Sequence, residues 1–263
     1  MATDLQKYGP WALITGGSEG VGAEAARQLA ADGFKLVLIA RKPEPLEALK
    51  AELEAKGTEV RIKSVDLSAD DALAQVRSIT DDIEVGLMFY NAGANSVRGD
   101  FVDLDREITQ QVINVNVIGQ ADFSRHYGKL MCDRGRGGIV LTGSTGGYSG
   151  SATIVTYAAV KAFSRIFSEG LWLECGAKGV DVVHLCIGFT ATPAMERLGL
   201  PIEFAETSEE VARQGLANLT NGPVWIVNTK GTIDGARSAN TFENRAEVVR
   251  KHTVPPREAT GTS

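Results

Sequence analysis

Short apolar runs alternate with segments of helical periodicity from residue 11 to about residue 228. This alternation is typical of repeated β-α-β units, in which the strands form a parallel sheet and the helices cover its faces. The strand candidates are residues 11–15, 35–40, 60–65, 85–90, 138–143, 180–186 and 223–227. The pattern therefore predicts an α/β fold on one doubly wound sheet of about seven parallel strands.

Local signals indicate where two of the helices begin. Ser68 followed by Asp71, and Thr207 followed by Glu210, have the spacing of a capping pair in front of an apolar helical segment. We expect a helix to start at each pair.

Residues 193–206 interrupt the alternation after the sixth strand candidate. The interruption lies at the carboxyl end of the sheet, where open α/β sheets bind ligands. We expect residues 193–215 to form a small substrate-binding lid and the polar residues 253–263 to form a mobile tail. The chain as a whole, residues 1–263, is predicted to be a single domain.

Composition and charge restrict the class of protein. Of the 263 residues, 43% are hydrophobic and 23% are charged, as in ordinary globular proteins. A net charge of −6 disfavours a nucleic-acid partner, since such domains usually carry a basic face. We find no apolar segment long enough for a signal sequence or a membrane span, so we expect a cytoplasmic protein without membrane contact. The three cysteines show no CxxC spacing and the three histidines no ligand spacing, so we expect no metal.

Gly16, Gly20 and Gly22 follow the first strand candidate and open the next helix. Glycine at such a turn lets backbone N–H groups approach a pyrophosphate at the positive end of a helix. Any tight turn between a strand and a helix can also contain glycine. The placement directly after a strand favours a dinucleotide site.

The second strand candidate ends in Ala40, and Arg41 and Lys42 follow it. Dinucleotide-binding folds carry an acidic residue near this point to bind the 2′-hydroxyl of NAD, whereas an arginine accommodates the 2′-phosphate of NADP. No carboxylate occurs here before Glu44, and a guanidinium can bind phosphate through two hydrogen bonds. These residues favour NADP(H). The alternative is that Arg41 and Lys42 are only solvent-exposed residues of a loop.

Tyr157 and Lys161 are four residues apart and would share one face of a helix. A neighbouring ammonium stabilises a phenolate and lowers the pKa of a tyrosine, which favours proton transfer near neutrality. Ser144 follows the fifth strand candidate and can donate a hydrogen bond to a substrate carbonyl oxygen. By themselves the tyrosine and lysine are common on helices, and the serine is equally suited to a turn.

Taken in order, these motifs resemble those of the short-chain dehydrogenase/reductase family. TGGSEGVG resembles the family's TGxxxGxG turn, and the other matches are Asp66-Leu67 with its DL pair, Asn91-Ala92-Gly93 with its NAG segment, Asn116 with its helix asparagine, and Tyr157 to Lys161 with its YxxxK. Ser144 precedes Tyr157 by 157 − 144 = 13 positions, the family's usual spacing. The similarity covers residues 11 to about 195 and extends loosely to the branch of 17β-hydroxysteroid dehydrogenases and long-chain 3-oxoacyl-CoA reductases.

The resemblance implies a Rossmann-type oxidoreductase that transfers hydride between NADP(H) and a ketone, aldehyde or alcohol. It implies that Tyr157 is the general acid or base and that Ser144 polarises the substrate carbonyl. Lys161 would hold the nicotinamide ribose and lower the tyrosine pKa, and Asn116 would hold a water of the proton relay. The implied cofactor contacts are Gly16, Ser18, Glu19, Gly20, Val21, Arg41, Lys42, Asp66, Leu67, Asn91, Ala92, Gly93, Tyr157, Lys161, Gly188, Thr190 and Thr192.

Two positions depart from the family pattern. Ile187 stands where the PGxxxT segment has proline, and Tyr90 stands where the commoner NNAG form has its first asparagine. Both lie beside the implied cofactor site, so they bear on its local backbone shape.

Apolar side chains surround the implied catalytic positions. The substrate candidates are Tyr148, Ile154, Phe189 and Met195, and the lid segment adds Leu198, Leu200, Ile202 and Phe204. We expect an apolar substrate, such as an aromatic, steroid-like or acyl ketone. The alternative is that these side chains pack the lid onto its own domain.

An NADP(H)-binding sensor with little turnover is the alternative to an enzyme. The presence of Asn116, Ser144, Tyr157 and Lys161 together favours the enzyme. Since the family commonly forms dimers and tetramers, we also expect a homodimer or homotetramer. Phe163, Phe167 and Trp172 suit either such a contact or the core.

Overall fold

A sheet of parallel strands runs through the centre of the computed structural model, which describes residues 3–93, 98–197, 199, 202, 205–227 and 231–253. The strands are β1 Trp11–Thr15, β2 Lys35–Ala40, β3 Val60–Ser64, β4 Val85–Tyr90, β5 Gly137–Ser144, β6 Val180–Ile187, β7 Thr190–Ala191, β8 Glu206–Thr207 and β9 Val224–Ile226. The main sheet has the order β3-β2-β1-β4-β5-β6-β9, and all its pairings are parallel. The doubly wound sheet of seven strands is confirmed, with each predicted strand correct to within one residue at either end.

Helices connect the strands and cover the sheet. They are α1 Leu5–Tyr8, α2 Gly20–Ala31, α3 Pro43–Glu54, α4 Ala72–Arg77, α5 Arg106–Ile113, α6 Gly119–Arg134, α7 Val155–Gly176, α8 Pro193–Arg197, α9 Ser208–Ala217, α10 Thr232–Ala239 and α11 Arg245–Lys251. In the described part of the chain, no helix combines the length and the apolar character that crossing a membrane requires.

Each face of the sheet carries its own apolar core. On one face, Ile14 and Leu38 pack with Leu29 of α2 and Leu216 of α9. On the other, Leu13, Val37 and Leu141 pack with residues of α4, α6 and α7, among them Val76, Phe123 and Cys175. Because neighbouring side chains of a strand point to opposite faces, the continuous apolar runs of β1 and β2 supply both cores.

One of the two predicted helix starts is correct. The side chain of Thr207 accepts a hydrogen bond from the backbone N–H of Glu210 at 3.2 Å and so caps α9. The start predicted at Ser68 is wrong, because α4 begins at Ala72. Ser68 instead donates to the carboxylate of Asp66, a local contact that competes with capping.

The order of the sheet reverses beside β1, since the chain passes from β3 at one edge across to β4. In open α/β sheets, ligands bind in the crevice at such a reversal, at the carboxyl ends of the strands. The turns that follow β1 and β4 therefore flank the expected site. The segment predicted as a lid contains α8, β8 and the start of α9, and β8 pairs with β7. Leu198, Leu200 and Phe204 of that segment, and residues 254–263 of the predicted tail, lie outside the described residues.

Candidate active site

The glycine-rich turn lies between β1 and α2. A Cβ added to Gly22 would lie 2.1 Å from the carbonyl oxygen of Gly16, so only glycine allows the first turn of α2 to pack this closely. The N-terminus of a twelve-residue helix thereby faces the crevice. Free N–H groups at a helix start attract a phosphate, so this cradle fits the pyrophosphate of a dinucleotide.

The turn after β4 is tied to the glycine-rich turn. Asn91 donates from its backbone N–H to the carbonyl of Thr15 at 3.2 Å and from Nδ2 to the carbonyl of Gly16 at 3.3 Å. The backbone N–H of Ala92 reaches the Thr15 hydroxyl at 3.4 Å. Asn91 and Ala92 thus fix the two walls of the crevice relative to each other.

Two exposed basic residues follow β2. The backbone carbonyl of Arg41 accepts a hydrogen bond from Ser64 Oγ at 2.7 Å, which holds the start of this segment against β3. The side chains of Arg41 and Lys42 are exposed to solvent. They present two positive charges at the carboxyl end of β2, where the sequence predicts a phosphate.

Asp66 and Leu67 follow β3 on the same side. Burial acts to raise the pKa of Asp66, but hydrogen bonds from the N–H and hydroxyl of Ser68 and the charge of Arg41 lower it overall. Its Oδ1 accepts those bonds at 2.9 and 2.8 Å. Leu67 is buried in the core beneath it.

Ser144, Tyr157 and Lys161 meet at the carboxyl end of β5. Ser144 is the last residue of β5, and its Oγ accepts a hydrogen bond from the N–H of Gly146 at 3.1 Å. Tyr157 and Lys161 lie one turn apart on α7, with Lys161 Nζ 5.5 Å from the centre of the Tyr157 ring. Lys161 is almost fully buried and donates to the carbonyl of Thr142 at 3.3 Å.

Burial controls the protonation of these groups. It raises the pKa of Tyr157 above its ordinary value, while the hydrogen bond with Ser144 acts in the opposite direction. It lowers the pKa of Lys161 to about 8. Both shifts follow from removing the charged form of each group from water. At neutral pH Tyr157 is therefore a neutral phenol, and Lys161 is mostly protonated.

Asn116 lies in the π-helical turn Asn114–Ile118 between α5 and α6 and is buried. Its Nδ2 donates to the carbonyl of Val112 at 3.0 Å, and its buried Oδ1 has no hydrogen-bond partner within the described chain. A Cβ on Gly93 would lie 2.1 Å from that oxygen, so Gly93 admits the Asn116 side chain to the end of the crevice. An acceptor left free at this depth suits a bound water or ligand.

The segment after β6 forms the far wall of the crevice. Ile187 is paired with Ser144 at the end of the β5–β6 ladder, at a position where proline would lack a backbone N–H. The Thr190 hydroxyl donates to the carbonyl of Gly188 at 3.2 Å. The Thr192 hydroxyl accepts from the N–H of Met195 at 3.2 Å and so caps α8.

The four substrate candidates are not all brought together. Ile154 lines a pocket, partly open to solvent, that Tyr157 also borders. Phe189 is 42% exposed, and Met195 is half-buried at the start of the lid. Tyr148 instead packs in a core cluster with Cys186 and Ala236, and the Arg165 guanidinium lies 4.9 Å from its ring centre. The packing of Tyr148 favours a structural role.

Two contacts of the site were missed by the sequence reasoning. The hydroxyl of Tyr90 bonds to the backbone of the turn that carries Asn116. Arg197 of α8 pairs with Glu19 of the glycine-rich turn. The first could have been suspected, because a buried tyrosine hydroxyl needs a partner. The second left no sequence signal, since the two residues are 178 positions apart.

Metal-ligating side chains do not gather in the described ranges: no group of three or more His, Cys, Asp or Glu residues is placed to hold an ion.

Comparison with known proteins gives consistent matches. The family model described as short chain dehydrogenase matches residues 10–201. A very-long-chain 3-oxoacyl-CoA reductase of Pyricularia oryzae is 32% identical over 225 residues, which cover 82% of this chain and 68% of that protein. A 7beta-hydroxysteroid dehydrogenase of Clostridium sardiniense is 34% identical over 189 residues, 72% of each chain.

Solved structures match nearly the whole chain. A 7beta-hydroxysteroid dehydrogenase has a TM-score of 0.87 at 29% identity, covering 95% of this chain and 98% of that one. A short-chain dehydrogenase from Sphingobium yanoikuyae in complex with NADPH has a TM-score of 0.77 at 27% identity, covering 97% and 99%. The similarity thus includes the C-terminal part of the chain, beyond the matched family model.

Proposed function

The chain belongs to the short-chain dehydrogenase/reductase family of oxidoreductases, and on that basis we propose that it interconverts a ketone or aldehyde with an alcohol, using NADP(H) and Tyr157 as the proton donor or acceptor. Within the family it is similar to hydroxysteroid dehydrogenases and 3-oxoacyl-CoA reductases. The observation that carries the proposal is the meeting of Ser144, Tyr157 and Lys161 at the carboxyl end of β5, beside a glycine-rich turn.

Arg41 and Lys42 support NADP(H) over NAD(H). Their exposed cationic side chains follow β2 and can bind a 2′-phosphate, and a relative of known structure was solved in complex with NADPH. The cradle around Gly16, Gly20 and Gly22 would hold the pyrophosphate, and Gly188, Thr190 and Thr192 would meet the nicotinamide end. Bound in its reduced form, the cofactor supplies a hydride to the carbonyl carbon.

The protein's own groups handle the proton. In reduction, Tyr157 gives its hydroxyl proton to the carbonyl oxygen as the C–O π electrons move to that oxygen, and in oxidation it takes the proton back. Ser144 donates a hydrogen bond to the same oxygen and stabilises its developing charge. Because burial raises the pKa of Tyr157, the hydroxyl is kept protonated at neutral pH, which suits the reductive direction.

Lys161 and Asn116 would complete the site. The ammonium of Lys161 would hold the nicotinamide ribose and, with a cofactor bound, favour the phenolate of Tyr157. The free Oδ1 of Asn116, and the π-helical turn around it, would hold a water that returns protons to the lysine.

An apolar substrate is supported by the cavity beside Tyr157. Its apolar lining residues are Phe101, Leu104, Ile108, Val112, Ile154 and Val155. The names of the relatives, a very-long-chain 3-oxoacyl-CoA reductase and 7beta-hydroxysteroid dehydrogenases, agree with a bulky apolar ketone. We propose that residues 193–215 close over it as a lid, with Phe189 and Met195 facing the substrate.

The reaction is tested by following NADPH oxidation with a panel of steroid, aryl and acyl ketones. We expect turnover with at least one of them and none in Tyr157→Phe, which should still bind NADPH. Tyr127→Phe, a tyrosine buried elsewhere in the core, is the matched control and should turn over normally. Turnover in Tyr157→Phe would refute the mechanism, and NADPH binding without turnover of any ketone would favour a sensor.

We also propose a homodimer or homotetramer. Exposed apolar side chains occur on α6, on α7 and at the end of the π-helical turn before α6, and side chains of this kind suit a contact between copies. They are Ile118, Leu130, Ile166 and Leu173, between 43% and 66% accessible. Light scattering after size-exclusion chromatography should give two or four times the monomer mass of 28.0 kDa. Ile166→Glu should shift it towards the monomer.

A further inference from the structure

An ion pair joins the start of the lid to the glycine-rich turn. Arg197, the last residue of α8, donates to the carboxylate of Glu19 through both terminal nitrogens, Nη1 to Oε1 at 3.1 Å and Nη2 to Oε2 at 2.7 Å. This bidentate geometry is the stronger form of an arginine–carboxylate contact. Beside it, Cγ2 of Thr192 lies 3.0 Å from where Gly20 would carry a Cβ, so the segment is seated on the turn.

Glu19 also lies within electrostatic reach of Lys42, one of the two basic residues after β2. The hydrogen bond from Arg197 lowers the pKa of Glu19; burial opposes this, and the charges of Arg197 and Lys42 lower it further. The carboxylate is therefore ionised at neutral pH, near a lysine that we assign to the 2′-phosphate. Left unpaired, it would repel a phosphate and compete with it for Lys42.

We propose that Arg197 is a residue that determines cofactor specificity: by holding the carboxylate of Glu19, it lets the 2′-phosphate bind beside Arg41 and Lys42. The inference rests on the proposed use of NADP(H). Arg197 acts through Glu19 and not on the dinucleotide, so it is a positioning residue. Its effect should be larger for the cofactor that carries the 2′-phosphate.

The test is a fluorescence titration of NADPH and of NADH into wild type, Arg197→Met, Glu19→Gln and the double variant. Arg197→Met should raise the Kd for NADPH by roughly fivefold and that for NADH by less than about twofold, the effect of one exposed charge on a nearby phosphate. The double variant should return to the NADPH Kd of Glu19→Gln. Arg213→Met is the matched control, because Arg213 pairs with Glu210 inside α9, and it should change neither Kd.

Two outcomes would overturn the role of Arg197. If Arg197→Met weakened the binding of NADPH and NADH equally, the ion pair would only hold the lid on the turn and would not affect cofactor specificity. A double variant as weak as Arg197→Met would mean that the arginine binds the phosphate itself. Tighter binding of NADH by the wild type would refute the NADP(H) proposal, and with it this inference, before any variant is compared. Melting temperatures of all variants check that each one folds.

Discussion

The hydroxyl of Tyr90 donates a hydrogen bond to the backbone carbonyl of Val115 at 2.7 Å. Tyr90 ends β4 and is fully buried, and Val115 directly precedes Asn116 in the π-helical turn Asn114–Ile118. Burial raises the pKa of Tyr90, so the hydroxyl stays protonated and keeps donating. A π-helical turn departs from the regular hydrogen bonding of an α-helix, and here the side chain of Tyr90 in the core supplies an additional hydrogen bond to it. The replacement of asparagine by Tyr90 thus gives the turn that carries Asn116 a partner of its own.

Tyr90→Phe should reduce the catalytic activity more than the stability of the fold. It leaves the Val115 carbonyl without this donor, which should lower the free energy of unfolding by about 1 kcal/mol. If the turn shifts, Asn116 shifts with it, and we expect kcat to fall by roughly tenfold with little change in the NADPH Kd. Steady-state kinetics and urea denaturation measure the two effects.

The control for this variant is Tyr127→Phe. The Tyr127 hydroxyl lies 2.8 Å from that of Thr80 in the same apolar cluster, so the variant removes a comparable buried hydrogen bond that does not involve the turn of Asn116. It should lose similar stability and keep its kcat. Equal kcat values in both variants would show that Tyr90 only supports the fold.

Gly93→Ala should displace the Asn116 side chain from its position in the crevice. Its φ of +118° is strained for alanine, and the added Cβ would lie 2.1 Å from Asn116 Oδ1. We expect a loss of about 2 to 4 kcal/mol of stability together with loss of turnover. Gly57→Ala, at a φ of +89° with no atom within 4 Å of the new Cβ, carries only the backbone strain. The Gly57→Ala variant should lose about 1 kcal/mol of stability and keep its activity. If Gly93→Ala behaves in the same way, the predicted contact between its Cβ and Asn116 is wrong.

The seven strands of the main sheet were accessible from the sequence because most of them are short apolar runs bounded by polar or glycine residues. The carboxyl-end location of Ser144 followed from the same pattern, since parallel strands all end at one edge. Sequence spacing also put Tyr157 and Lys161 on one helical face, as the structure has them. Periodicity and strand polarity thus account for most of what could be predicted.

What the sequence could not supply depends on packing between distant segments. Tyr148 is near the catalytic residues along the chain, yet its ring turns into a cluster with Ala236 and Ala239 of α10, a helix that no local pattern connects to it. Ser68 has the residue type of a cap but bonds to Asp66, because two local partners compete for its hydroxyl. The pairing of Glu19 with Arg197 exists only once the lid is folded onto the turn.

Binding of NADPH should weaken above about pH 8. Burial lowers the pKa of Lys161 to about 8, and a lysine is charged below its pKa. As the pH passes this value, the ammonium proposed to hold the ribose is lost, and Kd should rise by up to about tenfold between pH 8 and pH 9, the limit for one linked proton. Fluorescence titrations from pH 7 to pH 9.5 measure this. Lys161→Met should bind weakly with a flat profile, and a flat wild-type profile would rule out the linkage.

Stability should fall in mild acid because of His184. This residue is fully buried, with its Nδ1 3.4 Å from the Ser164 hydroxyl. Burial, with the charges of Lys161 and Arg165, lowers its pKa from 6.5 to about 3. The folded protein keeps the ring neutral, whereas the unfolded chain binds a proton below pH 6.5, so stability is present above that pH and is lost as the pH falls towards 3. Between pH 7 and pH 5 this group should remove about 2 kcal/mol. Urea denaturation at pH 7 and at pH 5 measures this, and His184→Gln should lose about 2 kcal/mol less than the wild type between the two. The control is His252→Gln, at the partly exposed end of α11, which should show the wild-type pH dependence. The same pH dependence in all three proteins would mean that His184 is not the group that titrates.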